Sequence, residues 1–355
     1  MTKAGHRNVE RSSLAQSGGA VALRRSRPVG GQPRSLFASE TEALHAAKAF
    51  VHQVWEAQGE LWDPEFPENG SFSRVEKKSV QGGIRSHWYF DCYQPAGRQQ
   101  GTGRGVRQYL GVAGDPLIEA RVEAFKRVKS KRGQFAAIVG GLTHSGLPSP
   151  PRFLVRLISA LARSDVFVGG GVLLGTPAYQ TYDALLGQQL RQAPGTHGEL
   201  GTKNLRSVSI AVASLHPDKI LGELLRVDPT FHASEFVAGW QFTNLAGYRV
   251  KAIRAHGDTF AERLALFQME DAVRGAVLSG SGIAVLVPSP LRFALAKHMG
   301  RLNGSAGNQA TERKNRLQAG QLLSLLDAGA LQEAMRDASA SARRLHLPWI
   351  DATTL

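Results

Sequence analysis

The 355 residues suffice for two or three domains with buried cores, and 42% apolar with 20% charged residues is the composition of a globular chain, which excludes a wholly disordered one. No apolar run reaches the ~18–20 residues of a membrane helix, and the single cysteine, Cys92, excludes an internal disulfide and lacks the neighbours of a zinc site. A reducing cytoplasm is the expected compartment, with no membrane partner.

The net charge of +14 is unevenly placed. Residues 1–36 set Lys3, Arg7, Arg11, Arg24, Arg25, Arg27 and Arg34 against Glu10 alone, are rich in Ser and Gly, and read as a disordered basic tail. The Arg-rich, acid-poor start also resembles an organelle transit peptide, without the apolar stretch of a secretory signal. Residues 37–69 are acidic and residues 70–135 basic again. Clustering of this kind suits a polyanion, nucleic acid being the commonest, or serves solubility alone.

Residues 38–60 space Leu44, Ala47, Phe50, Val51, Val54 and Trp55 at helical intervals, with Ser39 or Thr41 as cap. From residue 70 onward SFSRVEKKSV, SHWYFDCYQ and VRQYLGV alternate between Gly-rich breaks, the pattern of a small antiparallel sheet of hairpins. Trp88, Tyr89, Tyr93 and Tyr109 stand there beside Arg85, Arg104 and Arg107. Such rings either stack bases or fill the sheet's core, the commoner role.

A basic helix is expected over 117–132, and PSPP at 148–151 marks a boundary. Beyond it helix and strand alternate: helix at 153–163, strand at 166–174, helix at 177–186, and strands at 208–213, 248–253 and 283–287. The last seventy or so residues read as helical. The expected organisation is a tail at 1–36, an N-terminal helix with a basic hairpin region at 37–148, an α/β (α+β) unit with a mixed sheet flanked by helices at 149–290, and a helical region at 291–355.

The stretch VGGGVLLGTPAYQTYDALLG at 168–187 carries the strongest local signal. Gly175 and Thr176 close an apolar strand and Pro177 suits a first helical position, so backbone N–H groups there would face an anion such as a phosphate. A plain structural turn gives the same pattern. A dinucleotide fingerprint fails because Val172 and Leu174 continue the strand where the tight turn belongs, and a P-loop fails because Pro177 and Ala178 replace its Lys and Ser/Thr. LSGSGIA at 278–284 lacks the spacing of a serine elbow. His144, His197, His216, His232 and His256 are scattered without metal-binding spacing.

In order, GGLTHSGLPSPPRFLVRLISALA, VLLGTPAYQTYDALLG, a strand and VPSPLRFALAKHM resemble a bacterial nucleotidyltransferase-like family of the DNA polymerase β-like superfamily. The resemblance runs from about residue 70 to the C-terminus. It implies transfer of a nucleoside monophosphate from a nucleoside triphosphate to an acceptor with Mg²⁺, and a Gly-Thr turn holding the triphosphate. It also implies a strand with two aspartates at alternate positions and a third carboxylate on a neighbouring strand. Alternate strand positions share a face, so such a pair holds two metal ions that stabilise the attacking and leaving oxygens.

Here the strand reads NLRSVSIAV, and Ser207 and Ser209 stand where the resemblance places the aspartates. Lys251 stands at the third carboxylate, Ala296 where the family tends to have His, and Asn315 where it tends to have Asp. Asp183 and Glu199 have no partner two positions away on a strand. Gly175, Thr176, Arg292 and Lys297 keep the phosphate-facing character, although Arg292 and Lys297 suit a surface helix equally. The resemblance thus implies a transferase fold with degenerate metal ligands; the alternative is a non-catalytic nucleotide- or nucleic-acid-binding regulatory protein.

Overall fold

Two sheets and the helices packed on them make up the computed structural model, which describes residues 37–63, 65–78, 83–94, 104–190, 205–214, 216–302, 309–325 and 328–348. The tail expected at 1–36, His197 and Glu199 lie outside the described residues. The first helix, α1 (Glu40–Glu56), starts where Ser39 Oγ accepts from the Glu42 amide at 3.2 Å, satisfying one of the amides a helix start leaves open. Its face of Ala43, Ala47, Phe50 and Val54 is buried, as the spacing predicts.

The three hairpin strands appear as β1 (Ser71–Lys78), β2 (Ile84–Gln94) and β3 (Arg104–Val112), paired antiparallel in that order. The following helix, α2 (Pro116–His144), is twice as long as its basic stretch suggests, because Phe135, Val139 and Leu142 continue its buried face past Arg132. Phe125 on α2 packs edge-on against Phe72 and Phe90 with ring centroids 5.1 and 5.5 Å apart, and Phe66 joins them. Trp88 also turns to this side, donating from Nε1 to Glu119 at 2.8 Å. Tyr89, Tyr93 and Tyr109 occupy the alternate positions and face away, so the core-filling role holds for Trp88 and not for the tyrosines.

PSPP ends where α3 (Arg152–Arg163) begins, followed by β4 (Val172–Leu174), α4 (Gly175–Tyr179), α5 (Tyr182–Leu186) and β5 (Ser207–Val212). The strand expected at 166–174 is reduced to its last three residues. Residues 165–171 form consecutive turns instead, with the Gly169 amide on Asp165 O and the Gly171 amide on Val166 O, both at 2.8 Å. Gly171 has no room for a side chain, since a Cβ there would sit 2.8 Å from Val166 O. The single helix expected at 177–186 is broken into α4 and α5 at Gln180 and Thr181.

Next come α6 (Pro217–Val227), β6 (His232–Phe236), β7 (Gly239–Thr243), β8 (Arg249–Arg254), α7 (Phe260–Met269), β9 (Val273–Val277) and β10 (Ile283–Val287). The chain then runs through α8 (Pro290–Leu302), α9 (Gln309–Ser324) and α10 (Ala328–Arg344), the helical end that the sequence predicts. The larger sheet has the order β6-β7-β8-β5-β4-β10-β9, and is mixed: β5 is parallel to β8 and antiparallel to β4, and β4 is parallel to β10. The fold is a mixed α/β one with helices flanking the sheet, as the sequence predicts.

One face of this sheet buries Leu173, Val208, Ile210, Val250 and Ala252 against α3 and α6. Val172, Ala211, Ala255 and Ala265 form a smaller cluster on the other face, under α7. The acidic α1 closes the β9 edge, where Trp55 Nε1 donates to Gly275 O at 2.9 Å. Among the described residues no helix is long and apolar enough to cross a membrane.

Candidate nucleotide site

Strand alternation decides what the central sheet offers. Val208 and Ile210 point into the main core, so Ser207, Ser209 and Ala211 share the opposite face. Register then fixes their neighbours. Ser209 lies between Leu174 of β4 and Lys251 of β8, Ala211 lies between Val172 and Ile253, and Ser207 is paired to Arg249 at the outer end. The two serines and Lys251 therefore occupy one face, next to the turn at Gly175 that follows Leu174.

A cavity of about 290 Å³ opens there. Its floor is Leu174, Gly175, Ser209 and Ile253, and α7 closes one side with Leu264 and Gln268. The other walls come from the helical C-terminal region: Ala296, Lys297 and His298 on α8, and Glu312, Asn315 and Arg316 on α9. Four positions that the sequence placed at a site, Gly175, Ser209, Lys297 and Asn315, meet at this one cavity although up to 140 residues separate them. Ala296 is with them.

Ser207 is exposed at the end of its strand and does not line the cavity, nor does Lys251, which stands beside Ser209 on the sheet. On β8 the cavity meets Ile253 instead, the register partner of Ala211. On β5 the cavity keeps the expected Ser209, and only on β8 does it meet a residue two positions further along than expected. Ile253 carries no signal in the sequence because it is apolar, and only the tertiary structure places it at the cavity.

The glycine turn also differs from expectation. Gly175 takes φ +73°, a left-handed conformation that other residues adopt at a cost, so the turn itself requires glycine. The helix behind it, α4, has only five residues, too short for the dipole argument. Thr176 is buried, and its Oγ1 accepts from Lys314 Nζ at 3.3 Å. Nothing in the sequence signals Lys314, which only the packing of α9 brings to Thr176.

Cationic charge rather than carboxylate dominates the cavity. Burial, reinforced by the neighbouring Lys314, pushes the Lys297 ammonium down to about 8, and burial lowers Lys314 as well. Neither lysine is ion-paired among the described residues; Lys297 and Arg316 line the cavity against the carboxylate of Glu312, while Lys314 stands behind the lining on Thr176. Lys297 Nζ lies 5.0 Å from the centroid of the Phe293 ring, which supports the stem without neutralising the charge.

Arg292, expected to face a phosphate, is a correction. It is 5% exposed and its guanidinium is spent within the protein: it pairs with Glu270 at 2.9 Å and Asp271 at 2.8 Å, and donates to Phe267 O at 3.1 Å. Five residues separate it from Lys297, so the two lie on different faces of α8. Asp183, the other acid near the turn, is 1% exposed and does not line the cavity. Its Oδ2 accepts from the Leu190 amide at 3.1 Å, and burial pushes its carboxyl up to about 7.

The residues present do not fit the Mg²⁺ pair that the resemblance implies. Hard divalent cations take anionic oxygen ligands, whereas the cavity floor supplies one neutral hydroxyl from Ser209 and hydrocarbon from Leu174 and Ile253. Among the described residues no group of three or more His, Cys, Asp or Glu could hold a metal ion.

Residues 152–263 match a protein-family model described as nucleotidyltransferase. The match runs from α3 through β4, the Gly175 turn, β5 and β8 into α7, and so includes the cavity floor and stops before Lys297 and Lys314. No curated protein and no solved structure matches the chain.

Proposed function

We propose that this protein uses a nucleotidyltransferase-type domain to bind the phosphates of a nucleoside triphosphate without a divalent metal, and transfers no nucleotide. The observation that carries the reading is Lys297 in the cavity wall, without a carboxylate partner among the described residues and backed by Lys314, above a floor of Gly175, Ser209 and Ile253. A phosphate chain entering beside Gly175 meets a backbone without a side chain in its way and cations that lose repulsion when the anion arrives. The same charges exclude the metal ions on which nucleotidyl transfer depends.

A cavity of about 290 Å³ lies at the small end of the range for ligand sites, so it takes the phosphates and part of the nucleoside. The activity lost is transfer; the activity kept is recognition, which suits a regulatory role. Calorimetry with a nucleoside triphosphate in EDTA tests binding, and incorporation of label from the same nucleotide in Mg²⁺ or Mn²⁺ tests transfer. Heat in EDTA that added Mg²⁺ leaves unchanged, with no incorporation, is the expected result. Metal-dependent labelling of the protein, an RNA or a small acceptor overturns the non-catalytic reading in favour of an active transferase with unusual ligands.

A further inference from the structure

The outer face of the small sheet is chemically unlike the rest of the surface. Alternation sends Trp88, Phe90 and Cys92 of β2 toward α2 and leaves Arg85, His87, Tyr89, Asp91 and Tyr93 on the far side. Across the strands, Tyr89 pairs with Tyr109 on β3 and Arg85 with Lys77 on β1. Tyr93 and Tyr109 are each 53% exposed, large rings that no helix covers among the described residues.

These rings form a graded platform. Tyr109 stands 5.4 Å from Tyr89 and 5.7 Å from His87, centroid to centroid, so three rings run across neighbouring strands. Lys77 and Arg107 reach over Tyr89 at 5.1 and 5.6 Å. Among the described residues the only carboxylate on this face is Asp91, already engaged by Arg107 at 2.6 Å and by the Ser73 hydroxyl at 2.5 Å. Lys77 and Arg85 thus remain as uncompensated positive charge beside exposed aromatic faces.

We propose that this face binds single-stranded nucleic acid, with bases on Tyr93 and Tyr109 and phosphates on Lys77 and Arg85. Charge complementarity selects a polyanion, and the rings select its form, since only unpaired bases can lie flat against an aromatic side chain. A duplex keeps its bases stacked on one another and meets this surface through phosphates alone. Three strands about 5 Å apart offer room for two or three bases. The face belongs to different elements from the cavity at Gly175, so this proposal stands or falls separately from nucleotide binding there.

Fluorescence anisotropy of the full-length protein with labelled oligouridine, oligothymidine and a duplex of equal length tests it. Single strands should bind more tightly than duplex. Exchanging both Tyr93 and Tyr109 for alanine should weaken single-strand binding about tenfold or more, while the pair of phenylalanine exchanges keeps it. The latter control isolates the ring from the Tyr109 hydroxyl, which meets His87 Nδ1 at 3.3 Å. Lys77→Ala with Arg85→Ala, both at exposed positions, should weaken binding and flatten its salt dependence. Absence of any complex, equal affinity for duplex, or alanine variants that bind like the unmodified protein would each overturn the proposal, the last by assigning binding to the remaining basic surface.

Discussion

Lys314 Nζ donates to Thr176 Oγ1 over 3.3 Å, joining the C-terminal α9 to the turn that ends β4. The contact places a second ammonium next to Lys297, and the mutual repulsion helps hold Lys297 near a pKa of about 8. The end of a central strand and two helices distant in sequence thereby meet around one cavity.

Nucleotide affinity should fall as pH rises from about 7 to 9, because Lys297 loses its proton through about 8 in the empty cavity. Stability should move the opposite way. The unfolded chain holds that proton to the ordinary lysine range, so between about 8 and 10 the unfolded state binds more protons and the folded state gains as pH rises. Lys297→Met should remove both dependences and weaken triphosphate binding about tenfold or more, read by calorimetry across that pH range and by denaturant titration.

Ser209→Asp restores a carboxylate on the cavity floor without its partner. Set among Leu174, Ile253 and the register neighbour Lys251, it should lower triphosphate affinity in EDTA by about tenfold, about 1.4 kcal/mol, through repulsion of the phosphates. Added Mg²⁺ should recover part of that loss in this variant and none in the unmodified protein. An affinity unchanged by the substitution would show that phosphates do not approach β5.

Arg292→Ala should damage folding and spare the cavity. The change removes a partner from Glu270, which keeps Arg344 and Ser341, and removes donors to the buried Phe267 O and Ser341 Oγ, a loss of about 1–3 kcal/mol. Urea unfolding should report that loss, whereas calorimetry on the folded fraction should return the unmodified affinity.

Asp183 supplies a second pH signature. Its carboxyl is raised to about 7 in the folded protein, so the folded state binds more protons than the unfolded one between about 4 and 7, and its contribution to stability is lost as pH rises through that window. Asp183→Asn should flatten this slope and leave the protein about 1–3 kcal/mol more stable than the unmodified chain near pH 8. Unfolding midpoints measured from pH 5 to 8 check it.

Periodicity by itself located α1, the three hairpin strands, α3, β5, β8, β10 and the helical end, because each repeats its apolar residues at the spacing of one element. It missed α7, although Thr259 and Glu262 spell out the reciprocal cap that starts it. It also missed the β6–β7 hairpin and β9, short strands whose half-buried faces carry little apolar signal. The strand expected at 166–174 shrank to Val172–Leu174 because the Gly169 and Gly171 amides close turns within the chain.

For the site, the glycine turn after an apolar strand draws attention to Gly175, a property of a few adjacent residues, whereas only the family resemblance points to Ser209 and Lys297. Which face those positions take, and what stands opposite them, depends on pairing between distant strands. The cavity meets Ile253 rather than Lys251 on β8, and helix packing brought Lys314 to Thr176 while turning Arg292 toward Glu270 and Asp271. Side chains of one type, a lysine or an arginine a few positions apart on α8, acquired different roles only because burial and partners come from other parts of the chain, and those are set by tertiary packing.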